Sequence, residues 1–199
     1  MNEQSILMID ADGEIEKIIR RLDKFKDRVG APEILQKAVK TTAQKVRRQI
    51  VKDATGQYAL TDDRGLKHQN KGAPKVSSSK GAEISSTIIS KGSMQDIMAF
   101  LTQPNTKTGA AAAQVLNNST PKKLEKGDLK AFVTRFSNGH VAIVQRTGPE
   151  RLPVKKLLSP AVPHMLGNEI VRSKATAMAY EILQAEIEKH IAKTLAKTT

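Results

Sequence analysis

The run LKAFVTRFSNGHVAIVQR, residues 129–146, constrains the fold more than any other stretch. Two strand-like segments flank Ser137-Asn138-Gly139. Asn-Gly tolerates positive φ at both positions of a tight turn, so the run reads as a β-hairpin. In the first segment Lys130, Phe132, Thr134 and Phe136 share one face, and Leu129, Ala131, Val133 and Arg135 share the other. In the second, Ala142 and Val144 on one face and Val141 and Ile143 on the other leave both faces apolar. A strand of that kind belongs inside a sheet, with helices covering at least one side.

Helical periodicity brackets this hairpin. Over residues 13–29, Ile15, Ile18, Ile19, Leu22, Phe25 and Val29 recur at three- and four-residue steps; Asp10 or Asp12 can cap the start and Gly30 ends the run. Pro32 opens a second helix, running to about residue 53. Its stripe holds Ile34, Leu35, Ala38, Val39, Thr42, Ala43, Val46 and Ile50, with Lys37, Arg48 and Lys52 roughly opposite. That basic face is either solvated or set against DNA or an acidic partner. The β-branched run AEISSTIIS, residues 82–90, reads as a strand, and MQDIMAFL after it as a helical turn or a second strand. LTDDRGLKHQ suits a short helical turn capped by Thr61, and NKGAPKVSSSKG a linker. Residues 102–128 read as an exposed, mobile excursion, with AAAAQVL inside it as one short helix.

Residues 161–196 are periodic again, as a long C-terminal helix with two stripes. One holds Val171, Ala175, Met178 and Ile182; the other holds Leu183, Ile187, Ile191 and Leu195. At 100° per residue the two point nearly opposite ways. Either the helix bends or frays, or its distal half packs on a neighbouring subunit, which makes Leu183, Ile187, Ile191 and Leu195 subunit-interface candidates. The expected class is therefore α+β: one domain over 1–199, with N-terminal helices at 13–53 and the C-terminal helix packed on a small, mostly antiparallel sheet.

Function is bounded mainly by charge. The chain carries a net +13 with 3% aromatic residues and no cysteine. A field of that size favours polyanions, acidic protein surfaces or anionic lipid. Scarce aromatics make base stacking an unpromising mode. Without cysteine there are no disulfides, thiolate metal sites or cysteine nucleophiles. The four histidines, at 68, 140, 164 and 190, show no metal-ligand spacing. No phosphate-cradling glycine loop or nucleophile elbow occurs. The sequence thus points away from an enzyme, a metal site and a cofactor. No run approaches a membrane span, and the expected setting is a cytoplasm.

The connection after the hairpin, residues 145–163, holds Pro149, Pro153, Pro160 and Pro163. Proline cannot donate to a sheet ladder, so the segment reads as an ordered strap crossing a sheet edge rather than a central strand. Its basic side chains Arg146, Arg151, Lys155 and Lys156 are candidates to face a partner or a channel.

The stretch HVAIVQRTGPERLPVKKLLSPAVPHML resembles the signature region of the prophage minor tail protein Z family. The match is the strand ending Gln145-Arg146, the Gly148 turn, Arg151-x-Pro153-Val154, and Ala161-Val162-Pro163 before the last helix. FVTRFSNGH fits the same family, and more loosely so do ALTDDRGLKHQ, AEISSTIIS and the helix at 32–53. The resemblance implies a non-enzymatic virion protein of long-tailed phages, made in the host cytoplasm and acting in tail completion and head–tail joining. It implies a homo-oligomeric, hexameric ring that contacts the tail terminator, tail tube or head connector, with DNA passing through the lumen without sequence readout. The competing reading from charge alone is a basic, sequence-nonspecific nucleic-acid-binding module.

Overall fold

The computed structural model describes residues 2–10, 31–61, 66, 72–79, 84–103 and 109–198. The helical run expected at 13–29 and most of the turn expected at 60–69 lie outside them. The class is α+β, as the periodicities require.

The N-terminal layer is a three-stranded antiparallel sheet in the order β1-β3-β2, with β1 at Asn2–Asp10, β2 at Lys75–Ser78 and β3 at Ser85–Gly92. In central β3 the buried Ser86, Ile88 and Ser90 alternate with half-buried Ser85, Thr87 and Ile89. A bulge between Ser5 and Leu7 inserts Ile6 as an extra residue. Ile6 and Ile9 are three apart and would face opposite ways on a regular strand; with the bulge both are buried. The expected linker NKGAPKVSSSKG contains β2 instead. Ser78 and Ser86 join their hydroxyls across the ladder at 2.8 Å, so polar residues at a sheet edge do the pairing.

On this sheet lie α1 (Ala31–Gln57), the short α2 (Val162–Leu166) and α3 (Glu169–Thr198). All eight residues of the expected α1 stripe are buried, and Ala54 extends it. The expected single helix over 161–196 is broken at Gly167-Asn168, where Asn168 Oδ1 accepts the Ile170 N–H at 3.0 Å and caps α3. α1 and α3 run antiparallel: Lys45 meets Glu186 near the middle, and Tyr58, just past α1, lies beside Asn168 at the start of α3.

The two opposed stripes on α3 are in fact one seam. Val171, Ala175, Ala179, Leu183, Ile187 and Ile191 step by four and are all buried in the main core of this chain. Each step turns 40° further, so the seam winds about 200° around the helix axis. Ala179, which belongs to neither stripe, joins its halves. Leu183, Ile187 and Ile191 are therefore not available as subunit contacts, which corrects the expectation; the Leu195 side chain lies outside the described set.

The second half of the molecule is built from short strands. β4 (Met94–Asp96) pairs with β12 (Leu158–Ala161). A 3-10 turn over Ile97–Ala99 follows β4 and leads into β5 (Leu101–Gln103). β6 (Ala112–Gln114) lies between β5 and β7 (Lys122–Lys123). The last sheet has the order β11-β10-β9-β8, from β8 (Glu125–Lys126), β9 (Leu129–Arg135), β10 (Val141–Arg146) and β11 (Val154–Lys156). Ile97, Ala111, Ala113, Ala131 and Ile143 form a second, smaller core. AAAAQVL is thus a strand and not a helix, and the expected excursion at 102–128 is structured over 109–128, with Ala111, Ala112 and Ala113 buried. β10 is interior as expected, but on its Ile143 face this small core and the 3-10 turn replace the helix layer.

The hairpin turn also differs. Gly139 alone has positive φ, at 81°, and Phe136 accepts the Gly139 N–H at 2.9 Å while donating to His140 at 2.8 Å. That is a three-residue loop with glycine in the left-handed position, not a two-residue primed turn.

Gly72 lies in close backbone contact with α2 and β3. Its φ is 106°, and a Cβ there would lie 2.9 Å from Val162 Cβ and 3.1 Å from the Lys91 carbonyl. The Ser90 hydroxyl donates to the Gly72 carbonyl. Gly72→Ala is expected to cost about 1–2 kcal/mol through strain and overpacking. Urea unfolding of the variant checks this, with an unchanged midpoint as the contrary result.

Candidate polyanion-binding surface

α1 places cations on its outer side because its inner side is apolar at helical spacing. Between Glu33 and Asp53 the helix carries Lys37, Lys40, Lys45, Arg47, Arg48 and Lys52 and no acidic residue. Lys37, Lys40, Arg48 and Lys52 are exposed. Lys37 sits 3.7 Å from Glu33, an exposed pair that leaves its charge largely available. Lys45 is spent elsewhere, on the buried Glu186 at 2.7 Å. Arg47 is half-buried on the flank of the stripe, and its Nη1 donates to the Pro74 carbonyl at 3.3 Å.

The strap is ordered and lies at an edge, as its prolines demand. β11 closes one side of the four-stranded sheet; the chain then steps across at Leu157, which donates to Ile143 and accepts from Ile97, and enters β12. Pro160 falls where the β12 register shifts, a position that needs no ladder donor. The Leu152–Pro153 peptide is cis.

The strap's cations do not converge. Lys155 pairs with Gln145, whereas Lys156 pairs with Val144, so Lys155 projects from the face opposite Arg146 and Lys156. Arg146 is exposed and its Cζ stands 5.6 Å from the Phe132 ring centroid, a cation–π contact. Arg151 and Lys155 are exposed. Lys156 is half-buried and held by Asp96 at 2.8 Å and by His140 Nε2 at 3.0 Å. His140 stacks on Phe136 at 6.3 Å between centroids. Lys156 is thus a structural tie between β4, β11 and the hairpin rather than a free cation. Asp96 is not recognisable as its partner from the sequence, because 60 residues separate the two.

A third charged group is internal. Glu186 is 3% exposed and accepts Lys45 at 2.7 Å; its second oxygen is 3.6 Å from Lys189 and 3.7 Å from His190, too long for hydrogen bonds. The Lys45 hydrogen bond holds the Glu186 carboxyl below its ordinary pKa, against the opposing effect of burial. Burial pushes the His190 ring below its ordinary value; Glu186 opposes this, and Lys189, Lys193 and Lys37 add to it.

Among the described residues no three histidine or acidic side chains gather as a metal site. Among the same residues no helix is long and apolar enough to cross a membrane. In comparisons with known proteins the chain matches no family model, no curated protein and no solved structure.

Proposed function

We propose that the chain is a structural, non-enzymatic protein of a phage tail or neck, acting in tail completion and head–tail joining as a homo-oligomeric, hexameric ring around DNA. The reading rests chiefly on the sequence resemblance over residues 132–166. The observation that supports it is the strap: its proline pattern produces an ordered connection stitched into two separate ladders, with cations and apolar side chains turned outward. Leu152 is 68% exposed, Leu158 45% and Met94, opposite Ala161 in the β12 ladder, 58%. With the α3 seam internal, these three residues replace it as the contact candidates between ring subunits or with the tail tube or connector.

Arg146→Glu and Arg151→Glu are expected to lower the yield of joined particles by tenfold or more while leaving the unfolding midpoint of the isolated chain within a degree. Particle counts by electron microscopy, beside thermal melts, check this; loss of folding in both variants would make the strap a purely structural element. Imaging assembled particles tests the ring itself, and density for a single copy per particle would end that reading. The basic α1 face favours a second reading, a sequence-nonspecific nucleic-acid-binding module. That module would bind duplex as an isolated chain, with affinity falling steeply with salt.

A further inference from the structure

A cavity of about 340 Å³ opens between α1 and the entry to β2, lined by Arg47, Arg48, Val51, Leu66, Ala73 and Pro74. Its volume is at the lower end of small-ligand sites, about 300–1,000 Å³. One side is apolar, from Val51 on the helix and the buried Leu66, Ala73 and Pro74. The other side is formed by the consecutive residues Arg47 and Arg48, with Val51 one turn on and between them. No carboxylate pairs with Arg47 or Arg48 among the described residues, and the Pro74 carbonyl takes one of the five donors of Arg47. A half-buried guanidinium lacking an anion keeps unmet donors in a partly desolvated place, so an oxyanion entering the cavity would satisfy both forks.

We infer that this cavity binds the phosphate of a nucleotide unit, with the two guanidinium groups on the phosphate oxygens and the apolar wall against the sugar or base. Two features favour phosphate over the carboxylate of an acidic peptide. The cavity is larger than a carboxylate needs, and its apolar wall gives a nucleoside a surface to cover. Lys37, Lys40 and Lys52 lie on the same side of α1 as Arg48, and Lys37 to Lys52 spans about 22 Å of helix, long enough to follow several phosphates of one strand. Among the described residues no amide or carboxylate side chain lines the cavity. The proposal stands apart from ring assembly, because every described lining residue belongs to one chain.

The test is binding to the isolated full chain at about 0.15 M salt, the ionic strength at which exposed charges act over about 8 Å. The probes are a fluorescein-labelled dT12 strand, adenosine monophosphate, a labelled DNA duplex and a hexaglutamate peptide. The variants are Arg47→Met, Arg48→Met and, as an equal charge change at an exposed α3 residue, Lys174→Met. The expected result is at least a tenfold loss of dT12 affinity for each cavity variant and less than twofold for Lys174→Met. Competition by the mononucleotide would assign the site to free nucleotides as well, and its failure beside tight dT12 binding would assign it to strands. If removing the Pro74 bond unfolds Arg47→Met, Arg48→Met carries the test alone. The proposal is overturned by no binding of any nucleotide probe by the wild type, by equal losses for the cavity and control variants, or by tighter binding of hexaglutamate than of dT12 with the same dependence on Arg48. Tight duplex binding untouched by the cavity variants would support the nucleic-acid-module reading and still overturn the cavity.

Discussion

Ile187→Ala is expected to lower the unfolding free energy of the isolated chain by about 2–4 kcal/mol, and Leu183→Ala by a similar amount. Both side chains are 5% exposed and lie mid-seam, in the core that α1 and α3 share. Truncation leaves a hole that the two helices cannot close without shifting the rest of the seam, so a cavity cost adds to the lost transfer energy. The loss should not depend on protein concentration, because the partner surface belongs to the same chain. An interface residue would behave differently: its truncation would leave the monomer intact, and the melting shift would scale with concentration. Urea unfolding at two concentrations a hundredfold apart separates these cases. A stability loss under 1 kcal/mol, or one that vanishes on dilution, would return the distal half of α3 to the subunit interface.

How far the sequence carried depended on how locally each element was determined. α1 was legible in full because its stripe follows a single helical period and meets one apolar surface along its length. β3, β9 and β10 were legible because β-branched and aromatic residues alternate there. Residues 110–116 were misread for a physical reason. Alanine favours helices, yet here small side chains let β6 pack closely into the second core, and packing overrode propensity. β2 was hidden by its polarity: Lys75-Val76-Ser77-Ser78 holds one apolar residue, too few to show an alternation, and its pairing depends on β3. The site shows the same division. Lys37, Arg48 and Lys52 could be placed on the outer face from periodicity alone, and they are exposed. Arg47 could not, since its role depends on the Pro74 carbonyl from a segment read as a linker. Lys156 looked free because its partners, Asp96 and His140, are brought in by other strands.

The buried carboxylate should dominate the response to acid. Glu186 is kept charged by the Lys45 hydrogen bond, so its folded pKa lies below the unfolded one. A depressed carboxylate pKa means the unfolded chain takes up the proton first. Its contribution is therefore complete above the ordinary glutamate value, about 4.3, and is lost as pH falls through the folded value. His190 acts in the same direction in a higher window: its folded pKa lies below the ordinary value, so the unfolded chain binds a proton first as pH drops below about 6.5. Stability should thus decline in two stages on acidification, first from the histidine and then from the glutamate. Lys45→Met removes the donor from a carboxylate that is 4% exposed in its side chain, and is expected to cost about 1.5–3 kcal/mol at pH 7. Lys189 at 3.6 Å keeps the loss from being larger. The same variant should flatten the second stage, because the chief cause of the depressed glutamate pKa is gone. Glu186→Gln should remove the second stage and deepen the first, since His190 then keeps only burial and the cations Lys189, Lys193 and Lys37, all of which disfavour its charge. Unfolding free energies of the three proteins between pH 7 and 3.5 check this, and parallel curves would show that the Lys45–Glu186 pair does not set the acid response.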